Sequence, residues 1–211
     1  MTVSDRARAT WASRAERPLP GRLAPLALVA AITAALAGCG DALVDDDFDH
    51  AGAWQLEAIL HEGTSQPVSR IADGMLEVYA SCDFDLTTPP CAEARARLDL
   101  GAVSRGGAGF ALHLDLLQVD GWDMGRTAIR TCLDGQCLEV HFEGVEVFTP
   151  EGFTARSDGT FTQVSSESRQ PRVAVEASDE PSYVEVEVVP GGTDRLSYGI
   201  FQLDALTLTL E

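Results

Sequence analysis

Few side chains here are suited to covalent or metal chemistry. Four cysteines lie in the body of the chain: Cys82, Cys91, Cys132 and Cys137. In an oxidising compartment an even count predicts disulfides, and three pairings are open. We expect Cys82–Cys91 and Cys132–Cys137. Asp134-Gly135 suits a two-residue type I′ turn. Leu133 and Gln136 would close that turn as a hydrogen-bonded pair. Cys132 and Cys137 then fall on the next rung, a non-hydrogen-bonded pair whose Cβ atoms approach closely enough to bridge. Cys82–Cys91 would close the loop that contains Pro89 and Pro90. Neither interval is C-x₂-C, so a zinc site or a redox pair is the lesser expectation.

Signs of catalysis are absent. The sequence holds no G-x-S-x-G, no H-E-x-x-H, no phosphate loop and no dinucleotide fingerprint. All 15 basic residues are Arg and none is Lys, so no side chain can form a Schiff base. His113 and His141 fall on the wet faces of predicted strands, with Asp115, Glu139 and Glu143. If those strands were neighbours, the imidazoles and carboxylates would suit Zn²⁺. Two exposed histidines on an acidic surface are the plainer expectation. His50 and His61 show no partner in sequence. Asp120 and Asp123 flank Trp122 in a Gly-rich turn, read as a solvated loop with one buried aromatic. We therefore expect no enzyme, no catalytic residue, no metal and no cofactor; ligand-binding residues are unknown from sequence. The 211 residues carry a formal charge of −18, which disfavours nucleic acid and anionic membrane surfaces as partners.

The N-terminus addresses the protein to a membrane by another route. Residues 1–22 carry five Arg and two acids, and an Ala/Leu-rich run follows from Leu23 to Leu36. A spanning helix needs about 20 apolar residues, so this run is too short to cross a bilayer. A basic segment before a short apolar one reads as a secretory signal. It ends in Leu36-Ala37-Gly38-Cys39, which resembles the lipobox of bacterial lipoproteins. The resemblance covers residues 1–39. It implies cleavage after Gly38, a diacylglycerol on Cys39 and an acylated new N-terminus. Palmitate-type chains would hold the protein firmly, at about 0.8 kcal/mol per buried CH₂. In the sorting scheme of such lipoproteins, an acid directly after the Cys retains the protein in the inner membrane. Gly40 holds that place, which favours the outer membrane, with the body in the periplasm or at the cell surface. The lipid bilayer, reached through acylated Cys39, is thus the expected partner; a protein partner or a small apolar ligand stays open.

Asp41, Asp45, Asp46, Asp47 and Asp49 follow. Their spacing fails the calcium-loop pattern, which alternates acids before a Gly and a closing Glu. Adjacent aspartates repel one another, so residues 39–51 read as a lipidated, solvated acidic tether. Residues 1–38 are the signal peptide and residues 52–211 the folded body.

That body alternates with period two. Trp54, Leu56, Ala58 and Leu60 alternate with polar or exposed neighbours. So do Leu76, Val78 and Ala80; Ala94, Ala96, Leu98 and Leu100; and Phe110, Leu112, Leu114 and Leu116. Leu138, Val140 and Phe142; Val184, Val186 and Val188; and Leu206, Leu208 and Leu210 complete the set. Such runs are half-buried strands. Turn signals at Asp73-Gly74, Arg105-Gly106-Gly107, Asp134-Gly135, Asp158-Gly159 and Pro190-Gly191-Gly192 separate them. No interval permits a parallel crossover helix, and only the tether and its junction look able to form a short one. The fold class is all-β: a single antiparallel meander, barrel or sandwich of about ten strands.

Gly52-Ala53-Trp54, just before the first of these strands, resembles the G-x-W opening of lipocalins and other calycin barrels. Thr193-Asp194-Arg195 faintly resembles their second motif. The resemblance implies a barrel floored by Trp54, an interior lined by Leu56, Phe110, Leu112, Leu114, Val140 and Phe142, and a small apolar ligand. Without it, the same residues fill the core of an interaction or structural module, which we expect ahead of the carrier.

The lipobox sets the first test. Cys39→Ser should abolish lipidation and release the mature protein from the membrane fraction. If the Ser variant stays membrane-bound after a high-salt wash, the lipobox reading is wrong.

Overall fold

A computed structural model describes residues 42–50, 52–60, 67–83, 92–122, 124–142, 152–163, 171–191 and 196–211. They form thirteen strands: β1 (Ala42–Asp46), β2 (Gln55–Ile59), β3 (Val68–Ala72), β4 (Met75–Asp83), β5 (Glu93–Gly101), β6 (Phe110–Trp122), β7 (Met124–Leu133), β8 (Gln136–His141), β9 (Phe153–Arg156), β10 (Phe161–Gln163), β11 (Arg172–Ala177), β12 (Ser182–Pro190) and β13 (Leu196–Leu210). No helix occurs among the described residues.

The strands make two antiparallel sheets. The first runs β10-β9-β6-β13-β4-β3, and β1 also pairs with β13. The second runs β11-β8-β7-β12-β5-β2. β10 and β3 end the first sheet and β11 and β2 the second, so the sheets are not closed into a barrel. The fold is a β-sandwich. The chain passes repeatedly from one sheet to the other, and the step from β6 to β7 takes a single residue.

The alternating residues supply the core. Leu76, Val78, Ala80, Ala94, Ala96, Phe110, Leu112, Leu114, Leu138, Val140, Val184, Val186, Val188, Leu206 and Leu208 are buried, and with their neighbours they form one continuous cluster. Phe142 packs edge-on against Phe201, ring centroids 5.4 Å apart, and lies 6.4 Å from Phe153. Segment Glu93–Gly101 is strand despite its helix-forming composition, because the alternation of Ala94 and Ala96 with Arg95 and Arg97 fits a sheet with one dry face.

Strands β6 and β13 change phase halfway. Leu203 pairs with Leu116 and Ala205 with Asp115, so Leu117 and Asp204 each stand outside the ladder. The inward set shifts from Phe201 and Leu203 to Leu206 and Leu208 on β13, and from Leu116 to Val119 on β6. That is why Leu117 is left exposed.

Four expectations need correction. The segment read as a solvated tether contributes a strand: β1 pairs with β13, with Val44 opposite Leu208, and Val44 and Phe48 are buried. Apolar residues spaced between the aspartates had more to bury than charge repulsion had to lose. The tether junction forms turns and bends, not a helix. Trp54 floors no barrel. Its indole packs against Phe48, centroids 5.8 Å apart, and its Nε1 donates to Asp46 Oδ2 at 2.7 Å. Leu56 does not line the interior; it is 38% exposed because β2 is an edge strand. Thr193-Asp194-Arg195 lies outside the described residues.

Phe201→Ala should destabilise the protein by about 3–5 kcal/mol in urea unfolding, since the ring is fully buried and packs edge-on against Phe142. Leu117→Ala, at the exposed phase change, should stay within about 0.5 kcal/mol.

Candidate functional site

The outer face of the second sheet gathers most of the charge that strand alternation turns outward. Register places Gln55, Arg97, Glu185, Arg130 and Glu139 in one row across β2, β5, β12, β7 and β8. A parallel row holds Glu57, Arg95, Glu187, Ala128 and His141. A third holds Asp99, Tyr183, Cys132, Cys137 and Glu176. Arginines on β5 and β7 thus flank carboxylates on β12.

Ion pairs join the rows. Arg95 reaches Glu187 at 3.2 Å and Glu93 at 3.3 Å. Arg97 reaches Asp99 at 2.8 Å and Glu185 at 3.4 Å. Arg126 reaches Glu139 at 2.9 Å and Glu187 at 3.0 Å. Arg130 reaches Glu176 at 2.6 Å, and Glu139 and Glu180 at 3.1 Å each. Cross-strand pairs of opposite charge contribute about 0.2–1 kcal/mol each, and less where water reaches them.

At one end of this face lies the predicted hairpin. Asp134 and Gly135 both have positive φ, as a type I′ turn requires, and Leu133 pairs with Gln136. Cys132 and Cys137 face each other on the next rung with Cα atoms 4.1 Å apart and are joined by a disulfide. Both sulfurs are buried. Cys82 is also disulfide-bonded. Cys91 and Cys39 lie outside the described residues.

Glu180 sits over this bridge. Its Oε2 accepts a hydrogen bond from Tyr183 at 2.9 Å and one from Arg130 at 3.1 Å, and lies 3.5 Å and 3.7 Å from the sulfurs of Cys132 and Cys137. The Arg97 guanidinium stacks 3.7 Å over the Tyr183 ring. Chiefly through the Tyr183 hydrogen bond, the Glu180 carboxyl is held below its ordinary range. Burial, then the hydrogen bond to Glu180, pushes the Tyr183 phenol up to about 12 against the opposing Arg130 charge. Partial burial works against the charge on Arg130, but Tyr183 and the surrounding carboxylates overcome it and hold the guanidinium above its usual value. Burial likewise opposes Arg97, and Asp99 and Glu185 more than offset it.

These shifts carry each group's titration further from pH 7: Glu180 is ionised, Tyr183 is a neutral phenol and the arginines are charged. The cluster holds charge in place and is not poised for acid–base work near pH 7. Cys132, Cys137 and Glu180 bring potential ligand atoms within 4.8 Å of one another. While the disulfide stands, its sulfurs offer no thiolate to a metal.

The two histidines are not brought together. His113 is on β6 in the first sheet, with Nδ1 2.7 Å from Thr154 Oγ1 and Nε2 3.5 Å from Asp115. His141 is on β8 in the second, opposite Arg172 and Ala128. Glu143, His61 and Asp123 lie outside the described residues. Asp120 and Trp122 belong to the end of β6 itself, not to a loop. Sequence reasoning missed Glu180, Tyr183 and Arg130 as a group, because nothing local joins β7, the segment before β12 and β12. The available signal was the matching of outward arginines at 95 and 97 with outward glutamates at 185 and 187.

No family model matches the chain, and no curated protein matches it. Among solved structures it is similar to a glycosyl hydrolase family protein from Mycobacterium fortuitum: TM-score 0.42, 13% identity, covering 80% of this chain and 99% of that one. It is also similar to the CBM2 module of the evolved Dit of Lactobacillus casei BL23 phage J-1: TM-score 0.42, 10% identity, covering 81% of this chain and 96% of that one. No residue role transfers at this level of likeness.

The raised Tyr183 pKa implies stability that is fully present below the ordinary tyrosine value of about 10 and is lost as pH rises through about 12. Glu180→Ala should bring the Tyr183 phenol partway back toward about 10, read by ultraviolet difference titration with Tyr183→Phe as the assignment control. An unchanged titration would show that burial alone sets the value.

Proposed function

We propose that this chain is a lipid-anchored protein of the bacterial cell envelope, favouring the outer membrane, and that its sandwich is a non-catalytic interaction or structural module. The address rests on the basic n-region, the short apolar run and Leu36-Ala37-Gly38-Cys39. The role rests chiefly on one observation: the inner faces of the two sheets pack into a single cluster of fully buried side chains, from Leu76 and Val78 to Leu206 and Leu208. Interiors packed in this way leave few voids larger than a water molecule. A module of this kind meets its partners with its outer faces. The ion-paired face of the second sheet is one of these, with its arginines and carboxylates held in register. The lipocalin-like reading needed a closed barrel with an apolar lumen, and two open-edged sheets do not supply one.

Titration with an environment-sensitive fatty-acid probe tests the role. The expected result is no saturable signal. Saturable binding at low concentration, displaced by host lipid extract and lost in Ala96→Phe, would overturn it in favour of a carrier, since Ala96 points inward and is fully buried.

A further inference from the structure

We infer that the end of the sandwich formed by the turns at 101–109, 134–135 and 157–160 lies against the bilayer surface. This inference rests on the lipid-anchored reading and adds an orientation to it. Only Gly40 and Asp41 stand between Cys39 and the first residue of β1. Three Cα steps reach about 11 Å at full extension. The leash does not lengthen cheaply, because the segment after it is built into the fold. Ala42 pairs with Thr209, Val44 and Phe48 are in the core, and Asp46 is tied to the Trp54 indole.

The position of Ala42 decides which end is near. Its partner Thr209 is followed by Leu210 and Glu211, and the Glu211 amide donates to Gly109 O at 2.9 Å. Phe110 O accepts from the Ser157 amide, and Gln136 Nε2 donates to Ser157 O, both at 2.9 Å. The Arg105 amide donates to Asp134 Oδ2 at 2.9 Å, and its guanidinium reaches Gln136 Oε1 at 2.6 Å. Turns from both sheets are therefore knitted into one surface beside the start of β1. The other end, where β12 finishes at Pro190 and β5 begins at Glu93, is a strand length away. Nine residues of β5 separate the two ends by about 26 Å.

The near surface is polar and small. Gly101, Ala102, Ser104, Asp134 and Asp158 are exposed there. Of the large apolar side chains exposed among the described residues, Leu56, Leu60 and Leu117 belong to none of these turns, and Val175 alone lies beside one, against Gly159. Such a surface rests at headgroup level and, with one valine at its margin, has little to insert into the acyl region.

The test uses the full lipidated protein in phosphatidylcholine vesicles that carry nitroxide-labelled headgroups. A thiol-reactive fluorophore is placed at Ser104→Cys on the near end and at Leu60→Cys on the far end, with Ala102→Cys as a second near site in case the first variant misfolds. The expected result is severalfold stronger quenching at the near sites than at Leu60→Cys. A flexible Gly/Ser insert of about 20 residues between Asp41 and Ala42 should erase that difference while the protein still floats with the vesicles. Flotation with equal quenching at both ends would overturn the orientation and leave the anchor standing. Failure of the unmodified protein to float would overturn the anchor itself.

Discussion

The first sheet is organised around the backbone ladder of a single strand. β13 pairs with β6 on one side from Tyr198 to Leu210. On its other side it pairs with β4 over its first half and with β1 over its second. Backbone amides buried between sheets must be paired, so a strand flanked on both sides fixes the register of everything beside it. The consequence is visible at Asp204. One residue left out of the ladder there, matched by Leu117 on β6, reverses which side chains point inward for the rest of both strands. Leu206 and Leu208 reach the core only because of that paired irregularity. β1 then lies beside the shifted half, which is how Val44 comes to sit opposite Leu208.

How far the sequence was legible follows from the same distinction between local and long-range order. Alternation is local, and it identified the strands around Val78, Leu112, Val140, Val186 and Leu208. The Asp134-Gly135 hairpin is local too, and turn chemistry alone placed Cys132 opposite Cys137. β1 was not legible. Its apolar positions, Leu43 and Val44, with Phe48 just beyond it, are too few to alternate convincingly, and five nearby aspartates suggested solvent. Its burial depends on a strand some 165 residues away in sequence. The exposure of Leu56 was hidden for the opposite reason: its pattern is that of a core strand, but β2 has a neighbour on one side only.

The ion-paired face was hidden by the pairing of β12 with β5 on one side and β7 on the other. Neither neighbour is adjacent to β12 in the chain, so no local window shows Arg97, Glu185 and Arg130 in one row. Once in register, the face solves a problem set by composition. The segment after Gly38 carries 31 acids and only ten arginines. Four of those arginines, at 95, 97, 126 and 130, are concentrated here, each beside at least two carboxylates. Each pair is individually weak at a surface. Their joint effect is to keep Glu185 and Glu187, neighbours on the same face of β12, from repelling each other unscreened.

The same electrostatics bear on the disulfide. A thiolate that attacks Cys132 or Cys137 must approach a buried sulfur beside the ionised Glu180 carboxylate. Tyr183 and Arg130 in turn hold Glu180 in place. The carboxylate lies against both sulfurs while its own charge is balanced by Arg130. Arg97 stacked on Tyr183 completes the arrangement from β5. The cross-link, the hydrogen bond and the cation stack thus brace β7, β8, β12 and β5 at the end of the sheet where the turns meet, which is the end read as facing the bilayer.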